Sequence, residues 1–177
     1  MKKNQLLIIM LFSTVLIRAQ FAFLYSSTGM EYGKANTVDA DTCYINAALF
    51  QNTINVNPTG NFTLTAPGQS TQIVLTKYSK NGQFIWGKMM GGASTSEAPH
   101  GVACDEVKNI YMTGYFGSTT QTGAQSASFN PAGGGTISTQ GNEDCFVANT
   151  TRMVIINGLS GLEIAVQIRR NGLGIFR

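Results

Sequence analysis

The sequence predicts an all-β fold in which antiparallel sheets of short strands follow one another along the chain. Three observations support this prediction: segments in which apolar and polar residues alternate, turn residues between those segments, and an internal repeat of the whole pattern. A period of two is typical of strands, and a repeated group of strands indicates a repeat architecture. We expect about seven strands between residues 38 and 148, and no helix longer than about two turns there.

The first 20 residues have the composition of an export signal. Two lysines after the initiating methionine precede the apolar run Leu6–Ile17, which is too short to span a bilayer, and the Ala-Gln pair at 19–20 is a suitable cleavage point. The alternative is a core helix. The sequence therefore predicts export to the extracellular space or outer cell surface, with a signal peptide at residues 1–20, a lead-in strand region at 21–37 and no membrane span after cleavage.

Local patterns between residues 38 and 148 indicate strands joined by tight turns. Asn109–Phe116 has Tyr and Thr side chains on one face and apolar side chains on the other, so we expect burial on both faces. Ile73–Tyr78 and Phe84–Met90 flank an Asn-Gly pair at 81–82, which favours a type I′ turn because both residue types accept positive φ. Gly101–Asp105 has the pattern of a short strand leading into the next through a polar turn.

Four strands make up a unit that occurs once completely and once in part. Tyr44 aligns with Tyr111, Val74 aligns with Phe146, and an Asn-Pro pair recurs at 57–58 and 130–131. The first repeat covers residues 38–100, and the second, incomplete repeat covers residues 101–148. Four short antiparallel strands per repeat are typical of a β-propeller blade, so we expect a partial β-propeller with about two four-stranded antiparallel blades.

These segments resemble the repeats of a bacterial family, the SBBP (seven-bladed β-propeller) repeat proteins. The resemblance covers residues 38–148 and rests on a combination of runs: Gly101-Val-Ala-x-Asp105, Asn109-Ile-Tyr-x-Thr-Gly-Tyr115, Asp144-x-Phe-Val-Ala148, Lys77-Tyr-x-x-Asn-Gly-x-Phe-x-Trp-x-Lys88 and Gly91-Gly92. It implies an exported β-propeller protein. Members of the family typically carry a C-terminal sorting domain that directs them to the surface, and no counterpart of that domain is recognised in this sequence.

The composition and the residue pattern of the sequence change at Asn149. No arginine occurs between Gln20 and Ala148, whereas the segment after Asn149 is rich in arginine, and the second repeat stops matching the first at this point. If one nucleotide was lost at the Asn149 codon, the codons of residues 153 and 154 overlap to specify a glycine opposite Gly82. The other overlaps permit a continuation of the repeat. We therefore expect residues 149–177 to be a frameshifted tail on an N-terminal fragment, the alternative being a genuine C-terminal extension.

Charge and composition argue against a nucleic-acid partner. Charged residues make up 12 % of the chain, against about 25 % in an average soluble domain. Residues 21–148 carry five lysines and eight carboxylates, a net charge of −3, so the total of +3 comes from the leader and the tail. Nucleic-acid binding requires a basic patch, which the sequence of residues 21–148 does not contain.

The cysteines leave the disulfide pattern open. Cys43, Cys104 and Cys145 each lie beside β-forming residues, which favours small buried side chains on strands. One bridge with one free thiol is the alternative, and the spacing does not determine which cysteines would pair. The Cys-x-x-Cys spacing of a metal site does not occur, so the sequence predicts no metal and no other cofactor.

No combination of residues indicates catalysis. His100 is the only histidine, and we expect it on a solvated loop, without the partners of a nucleophile–base pair. The carboxylate pairs at 105–106 and 143–144 lack the spacing of a calcium loop, and the glycines at 133–135 lack the lysine of a phosphate-binding loop. Trp86 and the tyrosines are expected to pack within the sheets, with a carbohydrate-stacking platform as the alternative.

The sequence therefore predicts a non-catalytic exported module that binds a protein or a glycan, or acts as a scaffold, at the cell surface. The alternative is an accessory domain of an exported enzyme whose catalytic part lay downstream and was lost. Because the second repeat lacks its last strand, we also expect an exposed sheet edge near residues 145–148 that permits self-association.

Overall fold

The structure, a computed structural model, describes residues 25–120, 122–130 and 135–149. Within these ranges it contains twelve β-strands and no helix, which confirms the predicted all-β fold. The strands are β1 (Ser26–Ser27), β2 (Glu31–Val38), β3 (Tyr44–Phe50), β4 (Thr53–Asn55), β5 (Thr63–Thr65), β6 (Gln72–Tyr78), β7 (Phe84–Met90), β8 (Ser96–Cys104), β9 (Ile110–Gly117), β10 (Ser126–Ser128), β11 (Thr136–Ser138) and β12 (Glu143–Asn149). The predicted signal peptide and, after Asn149, the predicted tail lie outside the described residues.

The strands form four antiparallel sheets. The first sheet has the order β2-β3-β6-β7, and the second sheet has the order β12-β9-β8. Two smaller sheets contain short hairpins: β4 and β5 with β1 form one, and β10 and β11 form the other. We call β4–β5 the first hairpin and β10–β11 the second hairpin. None of the sheets formed by the described residues closes into a barrel.

The two hairpins have the same construction and occupy equivalent places in the two repeats. In the first hairpin, the hydroxyls of Thr53 and Thr65 lie 3.0 Å apart across the strand pair. In the second hairpin, the hydroxyls of Ser126 and Ser138 lie 2.7 Å apart at the equivalent positions. Each hairpin leaves one large sheet after its second strand and returns to its third, so the structure repeats one unit of sheet and hairpin.

The turns between the first two strands of each large sheet fix the alignment of the units. Asp39–Cys43 joins β2 to β3, and Asp105–Asn109 joins β8 to β9 with the same backbone hydrogen bonds. Tyr44 therefore corresponds to Ile110, and the predicted match of Tyr44 with Tyr111 is wrong by one residue. The error arose because both positions of β9 carry β-forming residues, and it matters because a one-residue shift exchanges the faces of a strand.

The first and second sheets stack face to face. We call the face of each sheet that carries its own hairpin the hairpin face, and the opposite one the plain face. The plain face of the first sheet is buried on the hairpin face of the second, in a core that contains Ile45, Ala47, Ile73, Leu75, Met90, Ile110, Met112, Phe116, Phe146, Ala148, Ala127, Phe129 and Ile137. The rings of Phe129 and Phe146 stack at a centroid distance of 3.9 Å.

A second core lies on the hairpin face of the first sheet. Ile54 and Val56 of the first hairpin segment pack there on Ala48, Phe50 and Val74. In the second unit, Phe129 takes the position of Val56 and packs on Phe116 and Phe146. Each hairpin thus covers the same face of its own sheet.

The prediction of about seven strands between residues 38 and 148 is too low, because ten strands, β3 to β12, begin in this range. The additional strands are those of the two hairpins, and each has three residues. Alternation over three residues gives no periodic signal, and these segments are rich in Ser, Thr and Asn, which also favour turns. Their pairing depends on packing against the large sheets.

The predicted hairpin of β6 and β7 is present, but its turn is not type I′. Gly82 has a φ of 79°, whereas Asn81 is not among the residues with positive φ. The Gly82 N–H donates to Ser79 O at 2.9 Å, and the Ser79 N–H donates to Gln83 O at 2.8 Å. This is a three-residue loop, a type I turn followed by a left-handed residue in a bulge. The Ser79 hydroxyl supports it by accepting the Asn81 and Gln83 N–H groups.

Candidate functional site

Three turns of one construction lie at one end of the two large sheets. The residues in the left-handed region are Thr42 (φ 62°), Gly82 (φ 79°) and Lys108 (φ 68°). The first residue of each turn accepts two backbone N–H groups, two and four positions later: Asp39 Oδ1 (2.9 and 2.9 Å), Ser79 Oγ (3.3 and 3.1 Å) and Asp105 Oδ1 (3.0 and 2.7 Å). These hydrogen bonds help to offset the strain of a left-handed threonine and lysine.

Asp105, from one of the two carboxylate pairs in the sequence, is engaged within its turn. Its second oxygen, Oδ2, accepts hydrogen bonds from Asn109 Nδ2 at 2.6 Å and from the Tyr111 hydroxyl at 3.2 Å. Burial alone raises the pKa of Asp105, but the hydrogen bonds from Asn109 and Tyr111 outweigh it, so the pKa lies below its ordinary value. Glu106, beside it, is exposed. This geometry stabilises an ionised turn residue and does not favour a proton donor.

Asp39 occupies the equivalent position in the first turn and forms an ion pair with its second oxygen. Lys77 Nζ lies 2.6 Å from Asp39 Oδ2, and the two side chains are 16 % and 2 % exposed. Burial alone raises the pKa of Asp39, but the hydrogen bond and charge of Lys77 bring it below its ordinary value. Burial lowers the pKa of Lys77 less than Asp39 raises it. The pair is therefore held in its charged form.

A second ion pair joins the equivalent turns of the two sheets. Lys108 Nζ lies 2.6 Å from Asp41 Oδ2, with both side chains exposed, so its contribution to stability is small. Burial and the negative charge of Asp39 raise the pKa of Cys104 to about 11. Cys43, Cys104 and Cys145 are all free, and a thiol with such a pKa is not an activated nucleophile.

A buried polar cluster lies where the first sheet continues into the second. Glu97, at the start of β8, is fully buried. Its Oε1 accepts hydrogen bonds from the Gly92 N–H at 3.1 Å and from the Thr95 hydroxyl, and its Oε2 accepts one from Gln72 Nε2 at 3.1 Å. Burial raises the pKa of Glu97 to about 7 despite these hydrogen bonds. The cluster links β6 of the first sheet to β8 of the second.

Gly91 completes this junction. It has a φ of 141°, and a Cβ placed on it would overlap the side-chain oxygens of Gln72 and Glu97. Its backbone N–H and C=O exchange hydrogen bonds with Ser128 at 2.8 and 3.0 Å, which attaches the second hairpin. The Gly-Gly pair at 91–92 was the available sequence signal for a close approach. Sequence reasoning missed Glu97 because its partners lie up to 25 residues away.

His100 lies within β8, at a register shift between Pro99 and Gly101, and not on the loop that the sequence predicted. The structure tolerates Pro99 there because β8 is an edge strand, where a missing N–H disrupts no ladder. His100 is exposed, and its ring meets Tyr115 edge-on at 5.4 Å. Within the described residues, no acid or nucleophile forms a hydrogen bond with the imidazole.

The remaining residues singled out in the sequence do not converge on one site. Trp86 is half-buried and packs against the core between the sheets, in accord with the packing interpretation. Glu143 is exposed at the start of β12, and Asp144 Oδ2 accepts the Gln140 N–H at 2.5 Å. Of the glycines at 133–135, only Gly135 is described, with a φ of 64°.

The described ranges also contain no group of three or more His, Cys, Asp or Glu side chains that could hold a metal ion. A helix long and apolar enough to cross a membrane does not occur in this part of the chain. Comparison with family models, with curated proteins and with solved structures finds no match to this chain.

Proposed function

We propose that the chain is an exported, non-catalytic β-propeller repeat module that binds or scaffolds a protein or glycan at the cell surface. The observation that carries this proposal is the packing of the plain face of the first sheet on the hairpin face of the second. Repeats in an array stack on their neighbours through unlike faces, because each unit copies the one before it. The two large sheets serve as blades in this proposal.

The positions of the polar groups support a non-catalytic role. Asp39, Asp105 and Glu97 direct their carboxylate oxygens at turns or at the sheet junction, and each has partners within the fold. The most exposed large apolar side chain at the turn end is Val107, which is 75 % exposed. We therefore propose the end with the three turns as the ligand-binding surface.

The test is binding without turnover. The purified chain is titrated calorimetrically with a panel of polysaccharides and cell-surface proteins, and the same mixtures are assayed for new reducing ends and peptide fragments. We expect saturable binding that Val107→Ser weakens, whereas Thr120→Ser, beyond the opposite end of β9, leaves it unchanged. Hydrolysis that a substitution at Asp105 or Glu143 abolishes would overturn the proposal.

Sequencing the DNA that follows the Asn149 codon tests the repeat architecture behind this function. Reading resumed in the shifted frame after the Asn149 codon should give a strand similar to β7, followed by further repeats. A catalytic segment without repeats at this place would instead support an accessory domain of an enzyme.

A further inference from the structure

The plain face of the second sheet has no described sheet packed on it, whereas the equivalent face of the first sheet is buried in the interface between the sheets. The plain face of the first sheet is buried through Ile45, Ala47, Leu49, Ile73 and Leu75. The equivalent residues of the second sheet are Tyr111, Thr113, Tyr115, Cys145 and Val147. Four of these are half-buried and Cys145 is exposed. None of these five is charged, and the one charged side chain on the same face of β12 is Glu143 at its start. The centre of this surface therefore has the character of an interface.

The first hairpin covers part of the hairpin face of the first sheet, and no other described sheet packs on that face. Val38 and Tyr44, a cross-strand pair, are 42 % and 38 % exposed. Their equivalents in the second sheet, Cys104 and Ile110, pack against the core that the two sheets share. Phe62, next to the first hairpin, adds a third exposed apolar side chain. Val38 and Tyr44 are therefore exposed, although the residues equivalent to them in the second sheet are packed between the two sheets.

We propose that these two surfaces bind each other between copies of this chain. The plain face of the second sheet in one copy packs on the hairpin face of the first sheet in the next copy. Within the chain, the plain face of the first sheet packs on the hairpin face of the second sheet in the same way. A second copy is the occupant that the structure favours, because both complementary surfaces and a template for their packing are present on one molecule. This inference goes beyond the proposed function and does not depend on glycan or protein binding.

Such a contact is heterologous, because it joins two different surfaces. Heterologous contacts produce closed rings or open chains of subunits, and not an isolated symmetric dimer. We therefore expect the purified chain to form a concentration-dependent series of oligomers. Blocking either surface should abolish the entire series, since every contact needs one surface of each kind.

Two surface variants test the proposal by complementation. Thr113→Arg places a charge in the plain face of the second sheet, and Val38→Arg places one in the hairpin face of the first. Thr120→Arg is the matched control, because it makes the same change as Thr113→Arg at an exposed residue outside both surfaces. Circular dichroism verifies that each variant keeps its β-structure, and Val147→Arg replaces Thr113→Arg if that variant does not fold.

Sedimentation velocity over a range of concentrations provides the readout. We expect oligomers for the parent chain and for Thr120→Arg, and an association at least about 100-fold weaker for each interface variant, since it would bury an unpaired arginine. An equimolar mixture of Thr113→Arg and Val38→Arg should form a 1:1 dimer that grows no further. A monomeric parent chain, an interface variant that still associates, or a mixture that stays monomeric would each overturn the proposal.

Cys145 offers an independent measurement, because its thiol is exposed on the plain face of the second sheet. Alkylation of Cys145, followed by mass spectrometry, should slow as the concentration of the parent chain rises. In Val38→Arg the rate should not depend on concentration. A rate that is constant in the parent chain while it forms oligomers would show that the copies meet elsewhere, and would overturn the proposal.

Discussion

Lys77 Nζ lies 2.6 Å from Asp39 Oδ2, although Lys77 belongs to β6 and Asp39 to the turn between β2 and β3. Strand β3 lies between β2 and β6 in the sheet, so this ion pair ties three strands together at the turn end. Asp39 also accepts two backbone N–H groups of its turn through its other oxygen. One carboxylate therefore fixes both a local turn and a contact across the first sheet.

Asp39→Asn should destabilise the protein by about 2–4 kcal/mol, because the largely buried Lys77 ammonium loses its charged partner. Asp41→Asn is the matched control: its partner Lys108 is exposed, and the expected change is less than about 0.5 kcal/mol. Urea unfolding of both variants measures the difference. Equal free energies of unfolding would contradict a structural role for the buried pair.

Stability should fall as the pH rises from 4.5 to about 7, because the folded protein holds the Glu97 proton more tightly than the unfolded chain does. The contribution is fully present below the unfolded pKa and is lost as the pH approaches the folded value, with a size on the order of 3 kcal/mol. Asp39 acts in the opposite direction, since its pKa is lowered and its contribution is lost only as the pH falls below about 4.

Glu97→Gln should remove the loss of stability between pH 4.5 and 7, and Glu106→Gln, at an exposed turn position, should leave it unchanged. Urea unfolding at a series of pH values is the measurement. A pH dependence that persists in Glu97→Gln would place its origin in another group.

Gly91→Ala should cost about 2–4 kcal/mol, because Gly91 has a φ of 141° and its new methyl group would overlap the Gln72 and Glu97 side chains. Gly33→Ala, on β2, is the control, since nothing lies within 4 Å of its Cβ position and its φ is not in the left-handed region. Its expected effect is within about 0.5 kcal/mol. Thermal unfolding of the two variants measures the difference. Equal melting temperatures would contradict the close packing of Gly91 against Gln72 and Glu97.

Supplying a fourth strand should stabilise the second sheet. In the first sheet, β6 pairs with β7, and β12, the equivalent of β6, has only β9 beside it among the described strands. Replacing residues 150–177 with a copy of residues 78–90 should therefore raise the melting temperature and sharpen the transition. A chain that ends in a scrambled copy of the same composition is the control. Equal melting temperatures of the two chains would contradict the alignment of β12 with β6.

The sequence predicted the strands that have long alternating patterns, since these patterns are local. The segments Asn109–Phe116, Ile73–Tyr78 and Phe84–Met90 coincide with β9, β6 and β7 to within one residue at each end. It also identified the Gly82 turn, because glycine accepts a positive φ in any fold. The two short hairpins were missed, since their three-residue strands depend on Val56 and Phe129 packing against the large sheets.

The sequence by itself determined the all-β class, the presence of a repeat and the positions of the turns at Gly82 and after Asp105, because alternation and turn chemistry act over a few residues. Only the tertiary structure decided the alignment of Tyr44 with Ile110, and with it the face on which each side chain lies. It also decided that Glu97 is buried with Gln72 and that Lys77 pairs with Asp39. These contacts depend on strand pairing and sheet stacking between distant segments, which leave no local pattern in the sequence.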